Sequence, residues 1–436
     1  MAAEIGEDYP VSRVPPAARY HWFSIATNRF GQLSALSQFL LGSALGFSMT
    51  FWGAFWALTL GAVLLELVSI AVGIAAQREG MTTSLFARWA GFGSYGSSLV
   101  GLVIAISLIG WFGVQNAVFA QGIQQILGIL PLWVWSIITG AIVIAIVAWG
   151  ILSMTWTAYI AVPLFLALVA WSLTVGLSHY SFAHLLAMMP PGPVMSLSAG
   201  TTLVAGGFIV GAVITPDLCR FNKGPWDVVK QTVLGITLGE WTVALAGVLL
   251  AHAVRSSNVI TIVMSTSGVV GVVLLVMATL KINDWNLYSS TLGLDNLIDA
   301  VFGRKVSRRA TTWVVGALGV ILSAAGILTQ FENFLDILGV AIPPIAAIMV
   351  VDYWLLRRSR AVLDETRDQG ELPSRSETWN WPMIIAWVAA FLIGYFVHWG
   401  IQSVNSLVSA GIIYWVLGTV IPSMKTSTPV RVAGKS

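Results

Sequence analysis

Charge is what this chain has least of. Of 436 residues, 22 are basic and 19 acidic, and together they make up 9% of the sequence. A soluble domain carries about 25% charged residues. So few cannot coat a globule in water, which excludes a cytosolic enzyme, a nucleic-acid binder and a disordered chain. Cysteine is nearly absent: the single Cys219 rules out an intrachain disulfide and a cysteine metal cluster. The five histidines (His21, His179, His184, His252 and His398) are scattered, mostly near the ends of apolar runs, without metal-ligand spacing. P-loop, nucleophile elbow and zincin motifs are all missing, so ATP-driven transport by this chain and catalysis are not expected. The N-terminus has no apolar core before a small-residue cleavage site. It reads as a short cytoplasmic tail and not as a secretory signal.

Apolar side chains dominate what remains, at 57%. They fall in runs of about 20 residues, the length of a transmembrane helix, and not in the ten-residue alternations of a membrane barrel. Twelve such stretches are expected, near residues 32–52, 54–76, 95–120, 131–153, 157–177, 197–215, 231–254, 263–290, 311–329, 333–355, 381–400 and 405–423. The basic residues test this map. With the N-terminus inside, every lysine and arginine except Arg255 and Lys281 falls in a cytoplasmic segment, Arg29 counted with the N-terminal one. Such asymmetry follows the positive-inside rule, and one missed or extra helix would scramble it. The expected class is an all-α, multi-pass protein of the plasma (inner) membrane with both termini cytoplasmic.

Two stretches, residues 30–46 and 198–217, are rich in Gly, Ala and Ser. They are the first and sixth spans, matching positions if the first ten form two inverted five-helix repeats. Such paired interruptions point to a transporter's binding site. The other reading is tight packing through small residues. Pro343-Pro344 is expected to kink or break the tenth span.

An ionisable residue inside a membrane costs about 2.5–3.5 kcal/mol on insertion scales and needs a reason. The candidates are Glu66, Glu240, Lys281 and Asp284, joined by Arg29 if the first helix starts earlier than hydropathy suggests. Lys281 and Asp284 share a helical face and can pair. They form either a structural ion pair or a coupling-ion or proton site. Trp111 and Gln115, four apart, also share a face. An indole beside a primary amide suits a flat polar heterocycle, one stacking and the other hydrogen-bonding, or else they are a packing tryptophan and an interhelical amide. Gly206-Gly207-Phe208 offers a second ring beside backbone, and Asn283 and Asn286 add two amides.

These residues also carry a resemblance. Gly42-Ser43-Ala44-Leu45-Gly46, Arg78-Glu79-Gly80-Met81-Thr82-Thr83 with Ala87-Arg88, and Gly110-Trp111-Phe112-Gly113 come first. Then follow Thr215-Pro216-Asp217-Leu218-Cys219-Arg220-Phe221, Asn283-Asp284 with Leu287-Tyr288, Ile342-Pro343-Pro344 and Asp352-Tyr353. In this order, over roughly residues 10 to 424, the chain resembles nucleobase–cation symport family 1, the cytosine permease and hydantoin transporter family. The resemblance implies a LeuT-type fold. Two inverted repeats would cover about 20–177 and 197–355, with extra helices at 381–423 and tails at 1–19 and 425–436. It implies a substrate held between the rings of Trp111 and Phe208, and Gln115 matches a substrate-binding glutamine of the hydantoin branch. Cytosine permeases differ at two positions, held here by Leu108 and Val210, so the pocket should be less polar there.

The larger departure concerns the cation. Family members bind sodium with hydroxyl residues just before the Asn-Asp pair and with carbonyls of the first helix, here the segment Gly31 to Ala35, which includes Ser34. Lys281 and Ile282 stand where the hydroxyls would be. Two unit charges about 4 Å apart repel by about 4 kcal/mol at an effective dielectric of about 20, so sodium and a lysine ammonium could hardly share that space. The expectation is sodium-independent transport, either by a proton symporter in which Glu240 or Asp284 is the partner of Lys281 or by a facilitator. The substrate-binding set is Trp111, Phe208, Gln115, Gly207, Asn283 and Asn286; no metal or other cofactor is expected. The expected partners are a small heterocycle and the bilayer, the chain being a monomer that binds no nucleic acid. The rival readings are a sodium symporter of the same family, a carrier for another substrate, and a membrane sensor.

Overall fold

The computed structural model describes Tyr9 and residues 12–149, 151–302, 304, 306–421 and 427–429. The side chains at 149, 151–162, 281, 296 and 299–302 lie outside that description. The first expected span is two helices, α1 (Trp22–Leu33) and α2 (Leu36–Ser48). Ser34 and Ala35 leave helical geometry between them, with ψ of 55° and 166°. The break leaves carbonyls at the end of α1 and N–H groups at the start of α2 without intrahelical partners.

The next helices are α3 (Phe51–Glu79), the short α4 (Thr83–Ala87), α5 (Gly93–Leu127), α6 (Leu132–Trp149) and α7 (Ile151–His179). The Thr50 hydroxyl caps α3 by accepting from the Gly53 N–H at 3.1 Å, and Gly80 ends it in the left-handed region at φ 66°. After a short α8 (Phe182–Ala187) come α9 (Leu197–Val213), α10 (Pro216–Cys219), α11 (Pro225–Val254) and the long α12 (Val259–Phe302), interrupted at Gly268. Then follow α13 (Arg308–Ala324), α14 (Phe331–Ala341) and α15 (Pro343–Val350). Pro343 and Pro344 separate these last two at Ile342, as the missing proline N–H groups require. An amphipathic α16 (Arg360–Asp368), the shorter apolar α17 (Trp381–Phe396) and the membrane-length α18 (Gln402–Val420) complete the helices. A two-stranded antiparallel ribbon joins β1 (Arg375–Glu377) to β2 (Ser427–Pro429). Among the described residues, six helices are long and apolar enough to cross a bilayer, and five shorter helices are strongly apolar.

The helices pack as two groups. In the first, α1, α2, α3, α9 and α11 bury one another; in the second, α5, α6, α12 and α13 do. Glycines set the closest approaches of the first group. A Cβ on Gly42 or Gly46 would collide with the α11 backbone at Ala244 or Val248, and one on Gly239 with Leu33. The second group has its own apolar core around Phe112, Phe119, Ile144, Leu287 and Val315.

Two expectations are corrected here. Arg29 does not belong to a tail: α1 begins at Trp22, and Arg29 is fully buried within it. Its guanidinium donates from Nη2 to Thr215 Oγ1 at 2.9 Å and from Nε to Gln231 Oε1 at 3.2 Å. The glycine-rich 198–217 stretch is also not broken in its middle. Helix α9 runs through Gly206-Gly207 and turns only at Ile214–Thr215. Its glycines admit neighbours instead: a Cβ on Gly206 would strike the Leu335 carbonyl of α14.

Candidate functional site

Helices α5 and α12 run antiparallel, and two glycine contacts fix their register. Gly122 lies against Val276, and Gly293 against Ala105. Counting from either contact puts Gln115 at the level of Asn283, with Trp111 one turn on, near Asn286. All four are buried. The amides of Gln115 and Asn283 are alike in a way that matters: neither the nitrogen nor the oxygen of either has a hydrogen-bond partner. A buried polar group left without a partner costs about 1–3 kcal/mol, so two whole amides unsatisfied at one level are a costly arrangement for packing alone. The neighbouring Asn116 makes the contrast. Its amide donates to the Ser136 carbonyl at 2.8 Å and to Ser323 Oγ at 3.1 Å, and accepts from Thr139 Oγ1 at 3.0 Å, tying α5 to α6 and α13.

The Trp111 indole meets Phe331 and Phe334 of α14 edge-on, with ring centroids 6.0 and 5.6 Å away. Gly110 has no side chain because the Phe334 ring occupies that space. Helix α14 in turn packs antiparallel on α9, through Leu335 against Gly206 and Gly339 against the Thr202 carbonyl. The rings meeting Trp111 are therefore carried by a helix that lines α9; Phe208 is not one of them. The half-buried Phe208 ring lies over Gly211 of its own helix, and Gly207 faces Leu41 of α2. Sequence reasoning missed Phe331 and Phe334, because aromatic residues in an apolar run carry no signal of their own.

At the break between α1 and α2, Ser34 and Ala35 are buried, and the Ser34 hydroxyl has no partner. Gly31, one turn earlier, has open space at its Cβ position. Gln38, the one amide in α2, was also missed; it is buried with an unpartnered Oε1. Its only trace in the sequence is a lone polar residue in an apolar run. Glu240 of α11 is completely buried, and both its oxygens lack partners. Asp284 is buried in α12. The side chain of Lys281, on which the sodium argument turns, lies outside the described residues.

Several of the most regular sequence markers belong elsewhere, to a rim at the end of the bundle where Arg13 and Tyr20 lie. Glu79 is its hub. It accepts from Arg13 Nη1 at 2.7 Å, from the Tyr353 hydroxyl at 2.5 Å and from Arg367 Nη2 at 2.5 Å. Arg13 also donates to the Glu79 and Glu371 carbonyls at 2.8 and 2.7 Å. Asp217 accepts from the Thr83 N–H at 2.8 Å. Asp352 accepts from the Tyr414 hydroxyl, which itself accepts from Asn380, both at 2.7 Å. Among the described residues no group of three His, Cys, Asp or Glu side chains could hold a metal ion.

Comparison with known proteins decides what this arrangement belongs to. Residues 18–418 match the family model described as permease for cytosine/purines, uracil, thiamine, allantoin. The chain belongs to this permease family. It is a transporter and not an enzyme, and a multi-pass membrane protein. The permease is 25% identical to the cytosine permease of Escherichia coli (strain K12) over 430 residues, 97% of each chain. It is 23% identical to the hydantoin permease of Microbacterium maritypicum, over 92% of this chain and 85% of that one. Its fold is that of Mhp1. An inward-facing structure of that protein matches with a TM-score of 0.81 at 20% identity, covering 96% of this chain and 95% of the other. Mhp1 in a closed conformation with bromovinylhydantoin bound, described as a nucleobase-cation-symport-1 family transporter, matches at 0.75 and 22% identity, covering 94% and 95%.

Proposed function

We propose that this permease imports a small planar nitrogen heterocycle, either a nucleobase such as cytosine, a purine or uracil, or a relative such as hydantoin or allantoin. The observation that carries the reading is the pair of buried, partnerless amides at one level, Gln115 and Asn283, beside Trp111. A primary amide offers a donor and an acceptor side by side. That pattern complements the N–H and C=O edge of a lactam or ureide ring, and a ring that pairs both amides recovers what their burial costs. Trp111, Phe208, Phe331 and Phe334 supply the apolar faces, with Gly207 and Asn286 at the margins. The relatives' names, cytosine permease and hydantoin permease, favour the same chemical class.

On this reading twelve spans form two inverted five-helix repeats and two further helices, with both termini cytoplasmic in the plasma (inner) membrane. The two packed groups of helices alternate access to a site between them, and the monomer suffices. Import is sodium-independent and proton-coupled, because Lys281 and Ile282 replace the hydroxyls of the family's sodium site. A thermal-shift screen of the purified protein against heterocycles, with and without sodium, tests both parts, since a ligand of the folded state raises apparent stability. Stabilisation by at least one of cytosine, uracil, hypoxanthine, hydantoin or allantoin is expected, and flux into proteoliposomes should be unchanged when choline replaces sodium. Strict sodium dependence would overturn the coupling, and a ligand that binds without crossing would favour a sensor.

A further inference from the structure

Helices α1, α2 and α11 run parallel, and their register can be read from their glycine contacts. Leu33 meets Gly239, and Gly42 meets Ala244. Glu240 is one residue past the first contact and one turn before the second. Ser34 is likewise one residue past Leu33, and Gln38 one turn before Gly42. The break between α1 and α2 therefore stands level with Glu240. Three buried side chains meet this level with oxygens that have no partner: Ser34 Oγ, Gln38 Oε1, and both Oε1 and Oε2 of Glu240. An ionised carboxylate out of water and without a hydrogen bond is strongly disfavoured. Such a group is stable with its proton on, and its O–H then has acceptors at its own level.

We propose that Glu240 is the group that binds and releases the coupling proton, with Ser34 and Gln38 as its hydrogen-bonding neighbours at the break in the first span. This rests on the reading that import is driven without sodium. The step makes and breaks one O–H bond. A proton from water on the outer side joins the Glu240 carboxylate, and the carboxyl returns it to water on the inner side. The charged surroundings allow such a cycle. From α3, Glu66 accepts a hydrogen bond from the Thr237 hydroxyl one turn before Glu240 and interacts electrostatically with it. From α1, Arg29 lies against Gly235 and is held by Thr215 and Gln231. Helix α2 has no titratable residue, and α8 brings only His184. From α7 the described titratable residue is His179; from α12 come Asp284, Tyr288 and Asp295, with Lys281 and Asp299 outside the described side chains. The proposed substrate contacts lie on α5, α9, α12 and α14 and none on α11, so Glu240 is separable from them.

The test uses full-length protein in proteoliposomes, with labelled uracil, cytosine, hypoxanthine and allantoin as probes. For one proton per substrate, an inward proton gradient of about one pH unit should raise wild-type accumulation roughly tenfold. Glu240→Gln should abolish that response while substrate exchange at equal pH continues; Glu240→Asp should keep part of it. A full gradient response in Glu240→Gln overturns the proposal, as does sodium-driven uptake that Glu240→Gln abolishes. A second readout needs neither substrate nor variant. Dicyclohexylcarbodiimide reacts with buried protonated carboxyls, and mass spectrometry of the wild type should find its adduct on Glu240, declining as pH rises. Absence of that adduct at acidic pH also overturns the assignment. Wild-type protein that takes up none of the probes defeats the substrate reading, and a sodium requirement in the wild type defeats the coupling reading. Failure of the Glu240 assignment appears instead as an unaltered gradient response or a missing adduct.

Discussion

The rim around Glu79 and the interior around Gln115 are both built of buried polar side chains, and they are built by opposite rules. At the rim, each Glu79 oxygen receives a donor, and the donors come from the N-terminal segment, the π-helical turn after α15, and α16. In the interior, Gln115, Asn283, Gln38, Ser34 and Glu240 carry buried atoms without partners. The contrast is between Glu79 and these five residues, since Thr83 Oγ1 and the Asn222 amide near the rim are also buried without partners. The same residue chemistry thus has opposite consequences for stability in the two places.

Mutation should separate them. The largest effect is expected at the rim: Glu79→Ala strands the guanidiniums of Arg13 and Arg367 and should cost about 3–5 kcal/mol, read as a large loss of thermal stability in detergent. The interior should behave inversely. Gln115→Leu removes one side of the amide pair, weakening heterocycle binding by about 1–3 kcal/mol. The melting temperature of the ligand-free protein should hold or rise; a fall in it comparable to that of Glu79→Ala would erase the distinction. Gly206→Ala probes the contact of α9 with α14, the helix whose rings meet Trp111. Its new methyl meets the Leu335 backbone and should cost about 1–3 kcal/mol in thermal stability, and by displacing α14 with Phe331 and Phe334 it should also weaken heterocycle binding.

The smallest effect is at the exposed edge of the rim. The Asp364 carboxyl is only slightly buried; that burial works upward, but the hydrogen bond and charge of Arg367, with Arg360 and Arg78, hold it below the ordinary aspartate range. A depressed carboxyl stabilises the fold at neutral pH, and its contribution fades as pH falls through its folded value. Asp364→Asn should therefore cost at most about 1 kcal/mol at neutral pH and nothing in acid, a difference salt should shrink.

Which parts of this were legible in the sequence follows from how local each is. The break in the first span was readable because small residues cluster there, but the same clustering in α9 serves close packing on α14. Composition cannot tell a helix that opens from one that lets a neighbour in, since that depends on what stands opposite. Hydropathy placed the start of the first span ten residues late, because Asn28 and Arg29 depress the local average. The partners that make Arg29 tolerable, Thr215 and Gln231, are far along the chain. Trp111 and Gln115 were legible through their four-residue spacing. That Asn283 stands level with Gln115 required the antiparallel register of α5 and α12, which no single-helix pattern contains. Glu79 stood out only as part of a family motif, and its role as a hub depends on segments nearly 300 residues away.

The seam between α2 and α11 has a mechanical meaning. Where Gly42 and Gly46 let one backbone rest directly on the other, no layer of side chains remains to shear, so the two rods must swing as a single lever. Whatever tilts the first span tilts α11 with it, and Glu240 rides along. If Glu240 carries the coupling proton as proposed, that proton moves with the same lever.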